Sequence, residues 1–148
     1  MRIIKFSEAP TIAFAAEELA RYLGEMLVPV QEITIHHNNS NDGDDASAIQ
    51  LVLFDQLDAL KKSSIQDLND GPDEEFDDAI YINVESGKGV IAGINPRSVL
   101  LAVYRFLSDV GCTWVRPGID GEFMPKLGIE DLHTKVAEKP SYRHRVIC

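Results

Sequence analysis

Residues 78–117 constrain the fold of this chain more than any other stretch of its sequence. Two strand patterns, Ala79–Val84 and Val90–Ile94, flank the segment Ser86–Gly89, whose glycines are typical of a hairpin turn. Apolar residues alternate along the first strand, so one face of the pair is predicted to be buried. This stretch therefore predicts an antiparallel strand pair inside a larger sheet.

An amphipathic helix is predicted directly after the hairpin. Asn95 suits the N-cap, Pro96 suits the first helical turn, and Gly111 favours a left-handed cap at the end. The apolar stripe between these caps consists of Val99, Val103, Phe106, Leu107 and Val110. Thr113–Val115 then reads as a further short strand, which would give a strand–helix–strand crossover.

The N-terminal part of the chain predicts the same order of elements. Ile3, Ile4 and Phe6 indicate a first strand, and Glu32–His36 indicates another. The helix between them carries a stripe at the helical period: Ile12, Ala16, Leu19, Ala20, Leu23, Met26 and Leu27. Because such crossovers favour parallel pairing, the predicted fold is an α+β sandwich, a mixed β-sheet with two main helices packed on one face.

The remaining segments divide into strands and polar loops. Ala48–Phe54 is a buried strand candidate, and Ile129–Val136 predicts a last strand. His37–Ser47 lacks apolar anchors and predicts a mobile loop, while Lys61–Phe76 is acidic and is expected on the surface.

Composition narrows the function classes. The chain has 148 residues, a net charge of −10 and two cysteines without framework spacing. An acidic surface disfavours nucleic acid and anionic membranes as partners. No apolar run approaches the roughly 20 residues of a membrane helix, and the N-terminus does not resemble a signal peptide. We expect a reduced, cytoplasmic protein.

The sequence motifs that could bind a nucleotide or a metal ion each lack a required element. Gly87–Ala92 matches the glycine spacing of the dinucleotide-binding fingerprint. That fingerprint requires a helix to follow, whereas Val90–Ile94 is predicted to be a strand. Asn38–Gly43 imitates a calcium loop, whereas its twelfth position is Ile49 instead of glutamate. The histidines lack metal-ligand spacing, and Cys112 is expected to be buried. No metal and no cofactor is predicted.

Three residues near the second helix were weighed as candidate site residues. Asp120 and Glu122 are two loop carboxylates, and paired carboxylates are what a glycosidase needs across a sugar. Loop acids at this spacing are common without such a role, so no catalytic residue is predicted. Trp114 could stack on a sugar, but packing in the core or at a domain interface is favoured.

In this order and spacing, four segments resemble one known domain. They are Ala15–Met26, Gly89–Gly93, Asn95–Leu107 and Gly111–Gly118. Together they are similar to the N-terminal domain that precedes the catalytic barrel in β-N-acetylhexosaminidases and α-glucuronidases. The tail Glu138–Cys148 looks like the linker and opening barrel strand of that family.

The resemblance implies residues 1–137 as an accessory domain and 138–148 as the linker and start of a barrel. It implies that the domain is noncatalytic, and that its partner is the intramolecular barrel, which holds the acid–base carboxylates and the carbohydrate substrate. Arg145 is the best match to an arginine that binds sugar hydroxyls in the hexosaminidases, with Arg143 as second choice.

The expected function is therefore to brace the barrel of a glycoside hydrolase. An exposed apolar patch around Trp114, Val115 and Pro117 would be the docking surface. A stand-alone carbohydrate-binding or interaction module is the alternative, and a small enzyme that uses Asp120 and Glu122 is a third hypothesis.

Overall fold

A computed structural model describes residues 1–38, 47–57, 62–63, 65, 68, 75 and 77–140. The strands are β1 (Arg2–Lys5), β2 (Thr34–His37), β3 (Ala48–Leu53), β4 (Ile80–Glu85), β5 (Lys88–Gly93), β6 (Thr113–Trp114), β7 (Glu122–Phe123) and β8 (His133–Glu138). The main helices are α1 (Pro10–Met26) and α2 (Pro96–Asp109).

Six strands form one mixed sheet in the order β2-β1-β3-β5-β4-β8. Strand β1 pairs in parallel with β2 and β3, and β3 pairs in parallel with β5. Strand β4 is antiparallel to β5 and β8. The hairpin and the first crossover are therefore confirmed, as is the predicted α+β class with a mixed sheet.

Both helices pack on one face of this sheet, as predicted. Their apolar stripes meet the strand residues that point to that side, among them Ile49, Ile82 and Ile91. The predicted caps of α2 are also confirmed: Asn95 accepts a hydrogen bond from the Ser98 backbone N–H at 2.8 Å, and Gly111 has a φ of 107°. Burial of this face supplies the main hydrophobic stabilisation of the domain.

The second crossover was predicted wrongly. The short strand after α2 does not join the main sheet but pairs with β7 in a separate two-stranded sheet. The reason lies in the sheet itself, because β5 already has β3 on one side and β4 on the other. No ladder position beside β5 remains for the strand that follows α2.

The opposite face of the sheet also carries a core. Val52, Tyr81 and Val90 pack there with residues from the segment that precedes β4. Ile65 and Leu68, which belong to the stretch expected on the surface, are 1% and 8% exposed. That expectation was wrong for these two residues, because isolated apolar side chains in an acidic segment can anchor it to the sheet. The other predicted loop, His37–Ser47, lies largely outside the described residues.

Both main helices end at the same end of the sheet. There the Cys112 Sγ lies 3.3 Å from the Met26 Sδ, just beyond the last turn of α2 and at the last residue of α1. The chain then returns along this end, where Leu127 donates its N–H to the Met26 carbonyl at 3.0 Å and accepts from Val28 at 2.8 Å. These contacts place β6, β7 and the loop between them beside the ends of the helices.

The absence of a side chain at Gly93 allows β5 and α2 to approach each other closely. Alanine there would place its Cβ 2.5 Å from the Val99 nitrogen and 2.6 Å from the Ser98 carbonyl carbon. We expect Gly93→Ala to lower the free energy of unfolding by about 2 kcal/mol, because backbone must shift. Gly24→Ala is the control, since its Cβ would meet only Ile33, at 4.0 Å. It should raise stability by about 1 kcal/mol in urea unfolding followed by circular dichroism. Equal effects of the two changes would contradict this account.

Candidate functional site

Six polar and aromatic side chains from four elements form one connected network beside the ends of the helices. We call this set the polar network: Glu18, Arg21, Tyr22, Tyr104, Trp114 and Glu122. It joins α1 to α2, β6 and β7. Its members are far apart in the sequence, so only the folded chain brings them together.

The centre of the polar network is a two-point ion pair between Arg21 and Glu122. The Arg21 Nη1 lies 2.9 Å from one Glu122 oxygen, and its Nη2 lies 3.2 Å from the other. Glu122 is mostly buried, with 14% of its side chain exposed. The guanidinium holds the pKa of Glu122 below its ordinary value, with help from the hydrogen bond of Tyr22. Glu122 therefore raises the pKa of Arg21 in turn.

Tyr22 connects this ion pair to the only tryptophan. Its hydroxyl donates to Glu122 at 2.8 Å and accepts from the Trp114 indole N–H at 2.7 Å. Burial raises the pKa of Tyr22. Trp114 also meets Tyr22 and Tyr104 edge-on, with ring centroids 5.8 and 5.6 Å apart. The indole is thus held by one hydrogen bond and two aromatic contacts, which fix its orientation.

Glu18 completes the polar network between the helices. It accepts from the Tyr104 hydroxyl at 2.6 Å and from the Arg21 Nε at 3.3 Å. Burial, followed by the hydrogen bond to Glu18, raises the pKa of Tyr104 above its ordinary value. Tyr104 is therefore a neutral donor at physiological pH, and α1 and α2 are joined by polar as well as apolar contacts.

Several exposed apolar side chains follow the two main helices in the chain. Six large hydrophobic side chains that are exposed lie at the end of the domain where the helices stop, and we call them the apolar end: Val28, Val30, Trp114, Val115, Ile119 and Phe123. Ile119 and Phe123 are 81% and 62% exposed. Phe14 and Leu101 are exposed as well, one helical turn before Glu18 and Tyr104 respectively. Trp114, Val115 and Pro117 are exposed as predicted, and their role as a docking surface stays a prediction.

An open pocket of about 450 Å³ lies within the apolar end. Its lining consists of Trp114, Val115, Arg116, Pro117, Gly118 and Glu122. Two backbone hydrogen bonds close the loop that forms it, from Val115 to the Gly121 carbonyl and from Gly121 to the Gly118 carbonyl, each 2.9 Å. The pocket wall is therefore a fixed turn rather than a free loop.

The other residues considered in the sequence fall in different places. Arg145 and Arg143 lie outside the described residues, so their predicted sugar contact stays a prediction. Asp120 is exposed, while the carboxylate of Glu122 is engaged by Arg21 and Tyr22. Cys112 is buried as predicted, and burial raises the pKa of its thiol to about 11, assisted by the negative charge of Glu122.

Across the residues that the structure describes, no group of three or more histidines, cysteines or acids is placed to hold a metal ion. Within the same ranges, no helix combines the length and the hydropathy needed to cross a membrane. Comparisons with protein-family profiles, with curated proteins and with solved structures find no match.

Sequence reasoning considered Glu122 and Trp114 but did not connect them to each other or to α1. Arg21 and Glu122 are separated by 101 positions. Arg21 and Tyr22 lie on α1 with its apolar stripe, and Tyr104 lies on α2 beside Val103, a residue of the second stripe. One sequence signal could have indicated these network residues. Tyrosine and arginine stand at the edge of an apolar stripe, where a long side chain can reach past the core.

Glu122→Gln tests whether the ion pair stabilises the domain. Because the folded-state pKa of Glu122 is depressed, its ionised form stabilises the fold above the ordinary glutamate pKa of about 4.3. That contribution is lost as pH falls through the folded-state pKa. We expect the variant to be less stable by about 1 kcal/mol at pH 7, with the difference shrinking towards pH 3.

Urea unfolding at several pH values, followed by the fluorescence of Trp114, measures this difference. Glu17→Gln is the control, because Glu17 is an exposed glutamate of α1, the helix that carries Arg21. It should change stability little at any pH. A Glu122→Gln deficit that stays constant from pH 7 to pH 3 would contradict the assignment to the carboxylate charge.

Proposed function

We propose that this chain is the noncatalytic N-terminal domain of a glycoside hydrolase and that it braces the catalytic barrel. The observation that supports this most is the apolar end. Its exposed side chains come from a structured hairpin and from the loop after α1, and the polar network holds that hairpin against both helices. An apolar surface on a rigid support is typical of a protein–protein contact.

The chemistry of the site also favours a structural role. Glu122 is the carboxylate nearest to the pocket, but both of its oxygens already accept hydrogen bonds from Arg21 or Tyr22. Its depressed pKa keeps it ionised, whereas a general acid must hold a proton near neutral pH. Glu122 is therefore suited to holding the hairpin rather than to protonating a leaving group.

The resemblance to accessory domains of hexosaminidases and glucuronidases supplies the partner in this proposal. The barrel would contain the acid–base carboxylates, and Arg145 would contact the substrate sugar. The apolar end, extended by Phe14 and Leu101 along the outer side of the helices, would be covered by the barrel. Burial of a single phenylalanine side chain contributes about 2 kcal/mol, so few such contacts are needed.

Hydrogen–deuterium exchange tests the docking. The measurement compares this chain alone with a longer protein in which the proposed barrel follows residue 148. We expect residues 113–123 to exchange more slowly in the longer protein, because the barrel excludes water from the apolar end. The first turn of α2, at the other end of the helix, should exchange equally in both. A coding sequence without a following barrel, or equal exchange at 113–123, would overturn the proposal.

Phe123→Ser provides a second test in the same pair of proteins. Since Phe123 is 62% exposed in this chain, the change should cost little stability here. In the longer protein it should cost about 2 kcal/mol more, because the ring would be buried against the barrel. Ile35→Ser, at the exposed sheet edge, is the matched control and should cost the same in both proteins.

A further inference from the structure

The pocket in the apolar end combines an aromatic surface with an uncompensated cation. Trp114 is 37% exposed, and part of its indole lines the pocket. Arg116 also lines it and is exposed. Among the residues that the structure describes, none forms a hydrogen bond or an ion pair with the Arg116 side chain.

The charge balance of the pocket favours an anion. Glu122 contributes a negative charge to the lining, but the guanidinium of Arg21 neutralises it at 2.9 Å. Arg116 is then the charge that remains to interact with a ligand. A guanidinium presents its donors as a planar fork, which matches the two oxygens of a carboxylate.

The geometry of the pocket is set before any ligand enters. Gly121 allows the loop to close, since a Cβ there would lie 2.0 Å from the Arg116 carbonyl oxygen and 2.5 Å from its Cγ. The indole orientation is fixed by the hydrogen bond to Tyr22. A preorganised aromatic surface loses little conformational entropy on binding.

We propose that this pocket binds a ring-shaped ligand that carries one carboxylate, with the ring against the indole of Trp114 and the carboxylate on the guanidinium of Arg116. A volume of about 450 Å³ accommodates a single ring. The ring can be a sugar or an aromatic ring, because both present a flat apolar face. The inference concerns this chain without a docked barrel, because a barrel on the apolar end would cover the residues that line the pocket.

The fluorescence of Trp114, the single tryptophan of the chain, reports binding directly. The probes are galacturonate and benzoate, with galactose and benzamide as their neutral counterparts and acetate as an anion without a ring. We expect at least one ring carboxylate to bind with a dissociation constant on the order of 1 mM. The tighter binder of galacturonate and benzoate shows whether the pocket prefers a sugar ring or an aromatic ring.

Variants assign the contact to Arg116. Arg116→Ala should weaken binding roughly tenfold, because a charge-assisted hydrogen bond is lost. Arg116→Lys keeps the charge but lacks the planar fork. Its dissociation constant should therefore lie between those of the unsubstituted chain and of Arg116→Ala. Lys88→Ala removes an exposed cation from the hairpin between β4 and β5 and should leave binding unchanged.

Several results would overturn the inference. One such result is that neither ring carboxylate shifts the fluorescence at tens of millimolar. Another is that the neutral counterparts bind as tightly as the acids. The inference would also be wrong if acetate bound as tightly as the ring carboxylates, or if Arg116→Ala left the dissociation constant unchanged. None of these results affects the docking tests, which measure exchange and stability in the longer protein.

Discussion

The ion pair between Arg21 and Glu122 is the interaction on which the end of this domain depends. It connects α1 to β7 through two hydrogen bonds of 2.9 and 3.2 Å. An ion pair on an open surface contributes little, but Glu122 is only 14% exposed and also accepts from Tyr22. Removing one partner would leave the other with unsatisfied hydrogen-bonding groups in a half-buried site. The hairpin β6–β7 therefore has a defined position although it makes no contact with the ladder of the main sheet.

The polar network and the apolar end are two sides of one arrangement. Polar side chains lie beneath the hairpin, where they meet the helices, while Val115, Ile119 and Phe123 face outward. A hairpin that served only to close the fold would be expected to turn its apolar side chains inward and its polar side chains outward. The reverse arrangement stabilises the hairpin by hydrogen bonds and leaves its apolar surface free. This is the physical basis for proposing a docking role.

The fold class could be predicted because it depends on local patterns. Asn95, Pro96 and Gly111 mark the ends of α2 through rules that involve only neighbouring residues. The hairpin β4–β5 follows from its turn, and the stripe of α1 from its period. These elements need no knowledge of their partners.

The errors in the prediction involve competition between distant segments. The strand after α2 has an ordinary strand pattern, but β3 and β4 occupy both sides of β5. Ile65 and Leu68 lie in an acidic stretch whose average polarity hides two anchoring side chains. In both cases the local pattern was compatible with more than one outcome, and the available neighbours decided between them.

The amino-acid sequence by itself determined the two main helices, the hairpin β4–β5, where α2 starts and stops, and that the domain is acidic. It also favoured packing of Trp114 in the core or at a domain interface over stacking on a sugar, and the interface stays a prediction. Only the tertiary structure decided that Glu18, Arg21, Tyr22 and Glu122 form one polar network with Trp114, and that Arg116 remains without a partner among the described residues. The physical reason is that helix and turn rules act over a few residues, whereas the ion pair joins positions 101 residues apart, which only packing brings within hydrogen-bonding distance.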